Sequence, residues 1–124
     1  MIKGIGLDLA ELDRIKALWE QYGSRFAKRI LTDNEIRQLP EHFPINRLAA
    51  LFAGKEAAVK ALGTGFSQGI HFKCIEILHG PSGKPEIAFL GRGREECEKL
   101  GVTSAHITLT HSRDTAAATV ILEG

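Results

Sequence analysis

Polar and hydrophobic residues alternate at the start of the chain, in the segment IKGIGLDL at residues 2–9. One face of this segment carries aliphatic residues and the other carries two glycines and one acid: Ile5, Leu7 and Leu9 against Gly4, Gly6 and Asp8. A period of two residues predicts a half-buried β-strand. The polar face is nearly bare, so a backbone segment, an ion or a ligand can come close to Asp8.

Helical spacing follows this strand. In AELDRIKALWEQYG the apolar residues recur every three or four positions, and Gly23 ends the pattern. SRFAKRIL predicts a second, shorter helix, and TDNEIRQL begins with the capping-box pair Thr32 and Glu35. The longest helix is predicted over about Ile45–Leu62, with Gly63 just past its end.

The remainder of the chain predicts strands with one helix among them. The glycine-rich loop GTGFSQG leads into two strand-like runs, HFKCIEILH and PEIAFL, which the turn segment GPSGK separates. GREECEKLG predicts a polar, exposed helix, and SAHITLTH, SRDT and AAATVILE together predict a terminal hairpin. We therefore expect an α+β fold, in which an antiparallel sheet packs against one long helix and shorter helices in a single domain over residues 1–124.

The composition is that of an ordinary globular protein. Of 124 residues, 44% are hydrophobic and 25% charged, and the formal net charge of +1 gives no global argument for binding nucleic acid. The two cysteines, Cys74 and Cys97, lack the spacing of a zinc site. Apolar runs fall short of the roughly 20 residues of a membrane span, and acidic residues interrupt the signal-peptide pattern in MIKGIGLDLAELDRI. We expect a cytoplasmic protein.

Three charged residues allow two interpretations. Glu56 and Lys60 are four residues apart on the long helix, where they can form a surface salt bridge worth about 0.3–0.5 kcal/mol. Asp8, taken alone, is an exposed aspartate. If Asp8 and Glu56 instead meet in space, the two carboxylates need a cation, and Mg²⁺ is commonly held by such a pair together with substrate phosphates. Lys60 would then contact the same phosphate.

The glycine motifs and the histidines carry weaker signals. GTG at 63–65 follows a helix, whereas phosphate-binding glycine loops precede one, so these glycines are predicted to cap the helix. Of the five histidines, His111 differs in its setting, because it opens the HSRD turn, where its ring can reach into a cleft.

Residues 14–30 carry five basic side chains and one acidic side chain, with Trp19, Tyr22 and Phe26 interleaved among them. Nucleic acid is a conceivable partner, but the segment contains no recognition motif for it. Docking to an acidic protein surface is equally compatible with these charges.

Three separated stretches match one known pattern: GIGLDLAELDRI at 4–15, FAGKEAAVKALGTG at 52–65, and GKP with LTHS in the last third. With them the chain resembles the holo-acyl-carrier-protein synthases, the small single-domain type of 4'-phosphopantetheinyl transferase. The resemblance implies transfer of 4'-phosphopantetheine from coenzyme A to a serine of apo-acyl carrier protein, in fatty acid biosynthesis, with adenosine 3',5'-bisphosphate as the other product. It also implies a Mg²⁺ ion and a homotrimer with active sites between subunits, and no nucleic acid or membrane partner.

The resemblance also implies roles for individual residues. Asp8 and Glu56 match the metal-binding positions, and Lys60 joins them as the third catalytic residue. The positions that match the coenzyme A site, the last four of them on the neighbouring side of the cleft, are Lys60, Gly63, Thr64, Gly65, Gly83, Lys84, Pro85 and His111. The surface that meets the carrier protein is matched by Arg14, Arg25 and Phe26.

One motif departs from the family pattern. Members often read GRFAAKEA where this sequence reads ALFAGKEA, so Leu51 takes an arginine position and Arg47, one helical turn earlier, is a candidate substitute. Two other classes of function stay open: a non-catalytic nucleotide- or carrier-protein-binding module, and a metal-dependent hydrolase of nucleotide pyrophosphates. The sequence also leaves open which group accepts the serine proton.

Overall fold

Five β-strands, five α-helices and one 3₁₀ turn make up the fold in the computed structural model, which describes all of residues 1–124. In chain order the elements are β1 (Ile2–Glu11), α1 (Leu12–Tyr22), α2 (Ser24–Ile30), α3 (Asp33–Arg37), α4 (Ile45–Leu62), the 3₁₀ turn (Phe72–Cys74), β2 (Ile75–His79), β3 (Pro85–Phe89), α5 (Gly91–Leu100), β4 (Ser104–His111) and β5 (Thr115–Glu123). The predicted α+β class, long helix and terminal hairpin are confirmed. None of the helices combines the length and the apolar character that crossing a bilayer requires.

The strands form two separate antiparallel sheets. One has three strands in the order β1-β5-β4, and the other is the β2-β3 hairpin. The strand predicted over residues 71–79 is shorter than expected, because its first part folds as the 3₁₀ turn. Lys55 holds this turn, since its Nζ donates hydrogen bonds to the carbonyl oxygens of Phe72 and Ile75 at 2.9 and 2.7 Å.

Helix α4 lies against the glycine face of β1. A methyl group at Gly4 would overlap the carbonyl oxygen of Ala61, and one at Gly6 would overlap that of Ala57. The backbones of strand and helix are therefore in direct contact, as the bare face of the strand allows.

The opposite face of the three-stranded sheet is open. We call it the outer sheet face; from register and alternation it comprises Ile5, Leu7, Leu9, Ala117, Thr119, Ile121, His106, Thr108 and Thr110. Its three β1 residues, Ile5, Leu7 and Leu9, are 60%, 59% and 64% exposed. The strand is half-buried as predicted, but its buried face is the glycine face, because only that face lets the helix come close.

The core is built around α4. Small residues of this helix, among them Ala53, Ala57 and Ala58, are buried in one core with Val120 and Leu122 of β5. Close packing of this kind needs few large side chains, because helix and sheet backbones lie near each other. Within the core lie two buried charged side chains, which are paired with each other: Glu35 and Lys55.

Candidate active site

Asp8 meets Lys60 across the contact between β1 and α4. Gly6 and Asp8 share one strand face, so the close approach at the glycine brings Asp8 beside the helix. Lys60 Nζ lies 2.7 Å from Asp8 Oδ1 and 3.2 Å from the carbonyl oxygen of Leu7. Lys60 therefore forms its salt bridge with Asp8 of β1 and not, as the helical spacing had predicted, with Glu56 of its own helix.

The two members of this pair differ in exposure. The Asp8 side chain is 18% exposed and the Lys60 side chain 54%. Asp8 is thus held by its surroundings, whereas the long Lys60 side chain has room in solvent to turn toward another anion. The hydrogen bond that Lys60 donates to Asp8 raises the pKa of Lys60, so its ammonium group keeps its charge.

Glu56 faces the same place from one helical turn before Lys60. Burial raises the pKa of Glu56 above its usual range, and the charge of Asp8 raises it further. Lys60 and Arg14 act in the opposite direction. Two acidic side chains therefore share one partly buried site, in which a further cation would relieve their repulsion.

The donor set of this site suits a hard cation that keeps much of its own water. Nowhere in the chain do three His, Cys, Asp or Glu side chains gather closely enough to hold a metal ion by themselves. Two carboxylates without a third protein ligand are what Mg²⁺ commonly uses, with waters and substrate phosphates completing the octahedron. Asp8 and Glu56 thus fit Mg²⁺ and leave positions for a phosphate ligand.

Lys55, beside Glu56 in sequence, points the other way, into the core. Its Nζ donates to Glu35 Oε1 at 2.7 Å as well as to the carbonyl oxygens of Phe72 in the 3₁₀ turn and of Ile75 at the start of β2. Glu35 in turn accepts from the backbone N–H of Thr32 and of Ile77, at 2.7 and 2.8 Å. Burial lowers the pKa of Lys55, and Glu35 opposes that shift.

Sequence reasoning found the capping box of α3 but not this second use of Glu35. The sequence did contain a sign that Lys55 is buried. Lys55 lies on the same helical face of α4 as three apolar residues, Leu51, Ala58 and Leu62. A lysine at such a position needs a buried acid as its partner.

Three aromatic rings lie next to this network. Phe72 stacks on Phe66 with ring centroids 4.1 Å apart and on Phe52 at 5.5 Å. The guanidinium of Arg14 lies 5.9 Å from the Phe52 ring centroid. Phe52 is one helical turn before Glu56, so the aromatic stack begins on α4 near the acidic site, with Arg14 of α1 close to its first ring, and ends at Phe66 in the loop that follows α4.

Comparison with known proteins decides the family. The sequence pattern of the 4'-phosphopantetheinyl transferase superfamily matches residues 4–120, nearly the whole chain and all of the site described above. The chain belongs to this superfamily. The transferase fold therefore carries the acidic pair and Lys60.

Individual relatives agree with this assignment. A holo-[acyl-carrier-protein] synthase from Maridesulfovibrio salexigens is 54% identical over 123 residues, covering 99% of both chains. The crystal structure of holo-[acyl-carrier-protein] synthase from Neisseria meningitidis has a TM-score of 0.90 at 38% identity and covers 100% of both chains. The Helicobacter pylori synthase, in a crystal structure with coenzyme A, has a TM-score of 0.85 at 27% identity, covering 96% of this chain and 99% of that one.

The glycine loop of this transferase begins at Gly63, three residues after Lys60. Gly63 ends α4 in the left-handed conformation, as predicted, and the N–H groups of Thr64 and Gly65 both bond to the carbonyl oxygen of Val59. Lys60 and the Gly63, Thr64 and Gly65 turn are therefore adjacent.

Other predicted site residues lie elsewhere on the same chain. His111 lines a cleft with Arg47 and His79, on the β4 side of α4, and β5 separates β4 from β1. Lys84 and Pro85 line another cleft beside β4, and Gly83 lies in the turn before them with φ of 88°. A single chain therefore does not gather these residues around Asp8.

The predicted carrier-binding residues are grouped around α1 and α2. Arg14 and Arg25 are exposed, and the Arg25 guanidinium lies 5.7 Å from the Tyr22 ring centroid. Phe26 is 9% exposed and presents little of its ring to solvent. At the departing motif position, Leu51 is buried in the core, and Arg47 bonds to the carbonyl oxygen of Gln38 at 3.4 Å.

Proposed function

We propose that this protein transfers 4'-phosphopantetheine from coenzyme A to a serine of an apo-acyl carrier protein, releasing adenosine 3',5'-bisphosphate. The observation that carries the proposal is the meeting of Asp8, Glu56 and Lys60 at one place in a chain of this superfamily. Relatives that share the whole length of the chain are named holo-[acyl-carrier-protein] synthases, and one of them was crystallised with coenzyme A.

Asp8 and Glu56 are proposed to hold Mg²⁺. When bound, Mg²⁺ neutralises the pyrophosphate oxygens of coenzyme A and stabilises the charge that develops during transfer. The two side chains come from different elements, one from β1 and one from α4, and the glycine contact between these elements keeps them together. Their mutual repulsion makes a divalent cation favourable at this place.

Lys60 is proposed to bind a phosphate oxygen of the same substrate. The exposed ammonium group of Lys60 forms a salt bridge with Asp8 in this structure. Because it is a compact charge on a flexible side chain, it can turn from Asp8 to a phosphate. The adjacent Gly63 to Gly65 turn has no side chain at two of its three positions, so a phosphate can approach its backbone closely.

The transfer itself needs positioning more than covalent help. The serine oxygen forms a bond to the β-phosphorus of coenzyme A, and the bond from that phosphorus to the bridging pyrophosphate oxygen breaks. The leaving group departs as adenosine 3',5'-bisphosphate, and Lys60 stabilises the negative charge on the transferred phosphoryl group. The serine proton passes to water, and the departing bisphosphate keeps the electron pair of the broken P–O bond.

A protein acceptor fits the surroundings of the site better than water does. Arg14 lies between the acidic pair and the surface of α1, where it acts on Glu56 and contacts the Phe52 ring. Arg25 continues this basic, partly aromatic surface onto α2. An acidic carrier docked here would bring its serine next to Asp8 and Glu56, whereas a hydrolase has no need of such a surface.

We also propose a homotrimer in which the outer sheet face is covered by other copies of the chain. Three large aliphatic residues side by side on an exposed strand are unusual for a monomer and typical of an interface. Assembly would also bring His111 and Gly83, Lys84 and Pro85 of one copy toward Asp8 of another, which a single chain does not do.

The direct test is to incubate the protein with coenzyme A, Mg²⁺ and an apo-acyl carrier protein and to weigh the carrier. A mass gain of one phosphopantetheine is expected, and neither a carrier whose acceptor serine is replaced by alanine nor a reaction containing a metal chelator should show it. Release of nucleotide without modified carrier would indicate a hydrolase. Binding of coenzyme A without any turnover would indicate a non-catalytic module.

A further inference from the structure

The buried ammonium group of Lys55 has all its hydrogen-bonding capacity used. Its three donors meet three acceptors: Glu35 Oε1 and the carbonyl oxygens of Phe72 and Ile75. The side chains of Lys55 and Glu35 are both 0% exposed. A buried ion pair is weak evidence for stability, because apolar residues of similar size often stabilise a core equally well. One bond goes to Phe72, the first residue of the 3₁₀ turn, and one to Ile75, the residue directly after it, so the network specifies the position of that turn.

This turn carries Phe72, whose carbonyl oxygen and ring have different partners. The carbonyl oxygen accepts from Lys55 at 2.9 Å, while the ring stacks against Phe66 with centroids 4.1 Å apart. Fixing the carbonyl fixes the backbone from which the ring projects. The Phe72 ring therefore presents a defined surface to Phe66.

Phe66 belongs to the glycine-rich loop, Gly63–Gly69, which follows Lys60. Three glycines of this loop have positive φ. Its start is held to α4, because Thr64 N and Gly65 N donate to the carbonyl oxygen of Val59. Past Gly65 the hydrogen bonds are local, from Ser67 Oγ to the carbonyl oxygen of Thr64 and from Ile70 N to that of Ser67, apart from a 4.0 Å contact of Cys74 Sγ with the carbonyl oxygen of Gly69. Backbone with this freedom needs an outside anchor to adopt one position. The Phe66 ring on Phe72 is such an anchor.

We propose that Lys55 is a positioning residue for coenzyme A binding, which acts through Phe72 and Phe66 on the glycine-rich loop. The inference rests on the proposed function, since it assigns this loop to the phosphates of coenzyme A. Lys55 touches no substrate. It holds the turn, the turn holds the ring of Phe66, and that ring anchors the loop just past Gly65, where its hydrogen bonds to α4 end.

The test measures the dissociation constant for coenzyme A by calorimetry, together with the melting temperature of each protein. Lys55→Met removes the three hydrogen bonds and keeps the length of the side chain. We expect it to weaken coenzyme A binding about tenfold, because small displacements of binding groups have large effects on affinity. Leu48→Ala is the matched control: this residue of the same helix is fully buried and contacts neither the network nor the loop by hydrogen bonds, so it should lower the melting temperature and leave the affinity unchanged.

A double-mutant cycle tests the route. Phe66→Leu should weaken coenzyme A binding by itself, and adding Lys55→Met to it should cause little further loss, because both changes release the same loop. Additive losses would overturn the route through Phe66. An unchanged affinity in folded Lys55→Met would overturn the inference as a whole.

Misfolding of the Lys55 variant and failure of the wild type to bind coenzyme A have different consequences. If Lys55→Met does not fold because it leaves Glu35 as a buried unpaired charge, the double variant Lys55→Met with Glu35→Gln removes both charges and is measured instead, with the same tenfold loss expected. If the wild-type protein itself fails to bind coenzyme A, the proposed function is wrong and the inference falls with it. Wild-type binding that the Lys55 variants leave intact overturns the inference alone.

Discussion

Gly6 of β1 rests directly on the carbonyl oxygen of Ala57 in α4, with no space for a side chain between them. Gly4 has the same relationship to Ala61, one helical turn further along. These contacts set the distance between strand and helix over the stretch that ends at Asp8. Asp8 belongs to β1 and Glu56 to α4, and the glycine contacts hold these two elements together. Without those contacts the two carboxylates would not share one site.

Replacing Gly6 by alanine should disrupt both stability and activity. The added methyl group would overlap the Ala57 carbonyl, so β1 must move away from α4, at a cost of about 3 kcal/mol. Chemical denaturation measures the loss, and carrier modification should fall with it. Gly80→Ala is the control, since the nearest atom to its new methyl group would be 3.8 Å away. A Gly6→Ala protein of unchanged stability would contradict the described contact.

Replacing Asp8 by asparagine should abolish turnover while keeping the fold. The amide matches the carboxylate in shape but carries no charge for a cation, and we expect kcat/KM to fall by about 10³. Binding of Mn²⁺, followed by electron paramagnetic resonance, should weaken in parallel. Asp33→Asn, an exposed aspartate on α3, should leave both measurements unchanged. Normal activity of Asp8→Asn would refute the metal assignment.

Replacing Glu56 by glutamine should stabilise the metal-free protein at neutral pH. The folded protein holds the proton of Glu56 to a higher pH than the unfolded chain does, because burial and Asp8 raise its pKa. Between the two pKa values the folded state binds more protons, so its stability falls as pH rises. Ionised Glu56 thus costs stability at neutral pH, and glutamine removes that cost.

Thermal melting without divalent metal checks this prediction. The melting temperature of Glu56→Gln should exceed that of the wild type at neutral pH, and the difference should shrink toward the ordinary glutamate pKa of 4.5. Added Mg²⁺ should raise the melting temperature of the wild type more than that of the variant. Glu41→Gln, at an exposed loop position, serves as the control. A variant less stable than the wild type at neutral pH would contradict the electrostatic account.

Replacing Lys60 by methionine should have opposite effects on two ligands. Coenzyme A should bind roughly ten- to a hundredfold more weakly, since a charged contact to phosphate is worth about 1.5–3 kcal/mol. Mn²⁺ should bind the free protein more tightly, because the ammonium group that now pairs with Asp8 at 2.7 Å is gone. Calorimetry with each ligand separates the effects, and Lys99→Met on α5 is the control. Weaker binding of Mn²⁺ would show that Lys60 does not compete for Asp8.

Replacing Leu7 by glutamate tests the assembly. A charge in the middle of the outer sheet face should prevent burial of that face and yield monomers, which light scattering after size exclusion would detect. Activity should fall with assembly if His111 and Lys84 of another copy complete the site. Leu100→Glu, at an exposed leucine on α5, should retain the assembly. A wild-type protein that is monomeric at all working concentrations would refute the trimer.

Local patterns predicted the elements of this fold well. The period of two in residues 2–9, the capping box of Thr32 and Glu35, and Gly63 after the long helix each act within a few residues, and the structure has the strand, cap and helix end that they indicate. The bare face of β1 was also informative. Two glycines beside Asp8 allow another group to come close, and the α4 backbone is that group.

The sequence by itself therefore determined the type and order of most strands and helices, though not the 3₁₀ turn at Phe72–Cys74, and which three charged residues belong to a family motif. Only the tertiary structure decided that the glycine face of β1 is the buried one, that Lys60 pairs with Asp8 across 52 positions of sequence, and that Lys55 turns inward to Glu35. The physical reason is range: periodicity and capping arise from neighbouring residues, whereas an ion pair or a buried face depends on which distant backbone comes close enough to meet it.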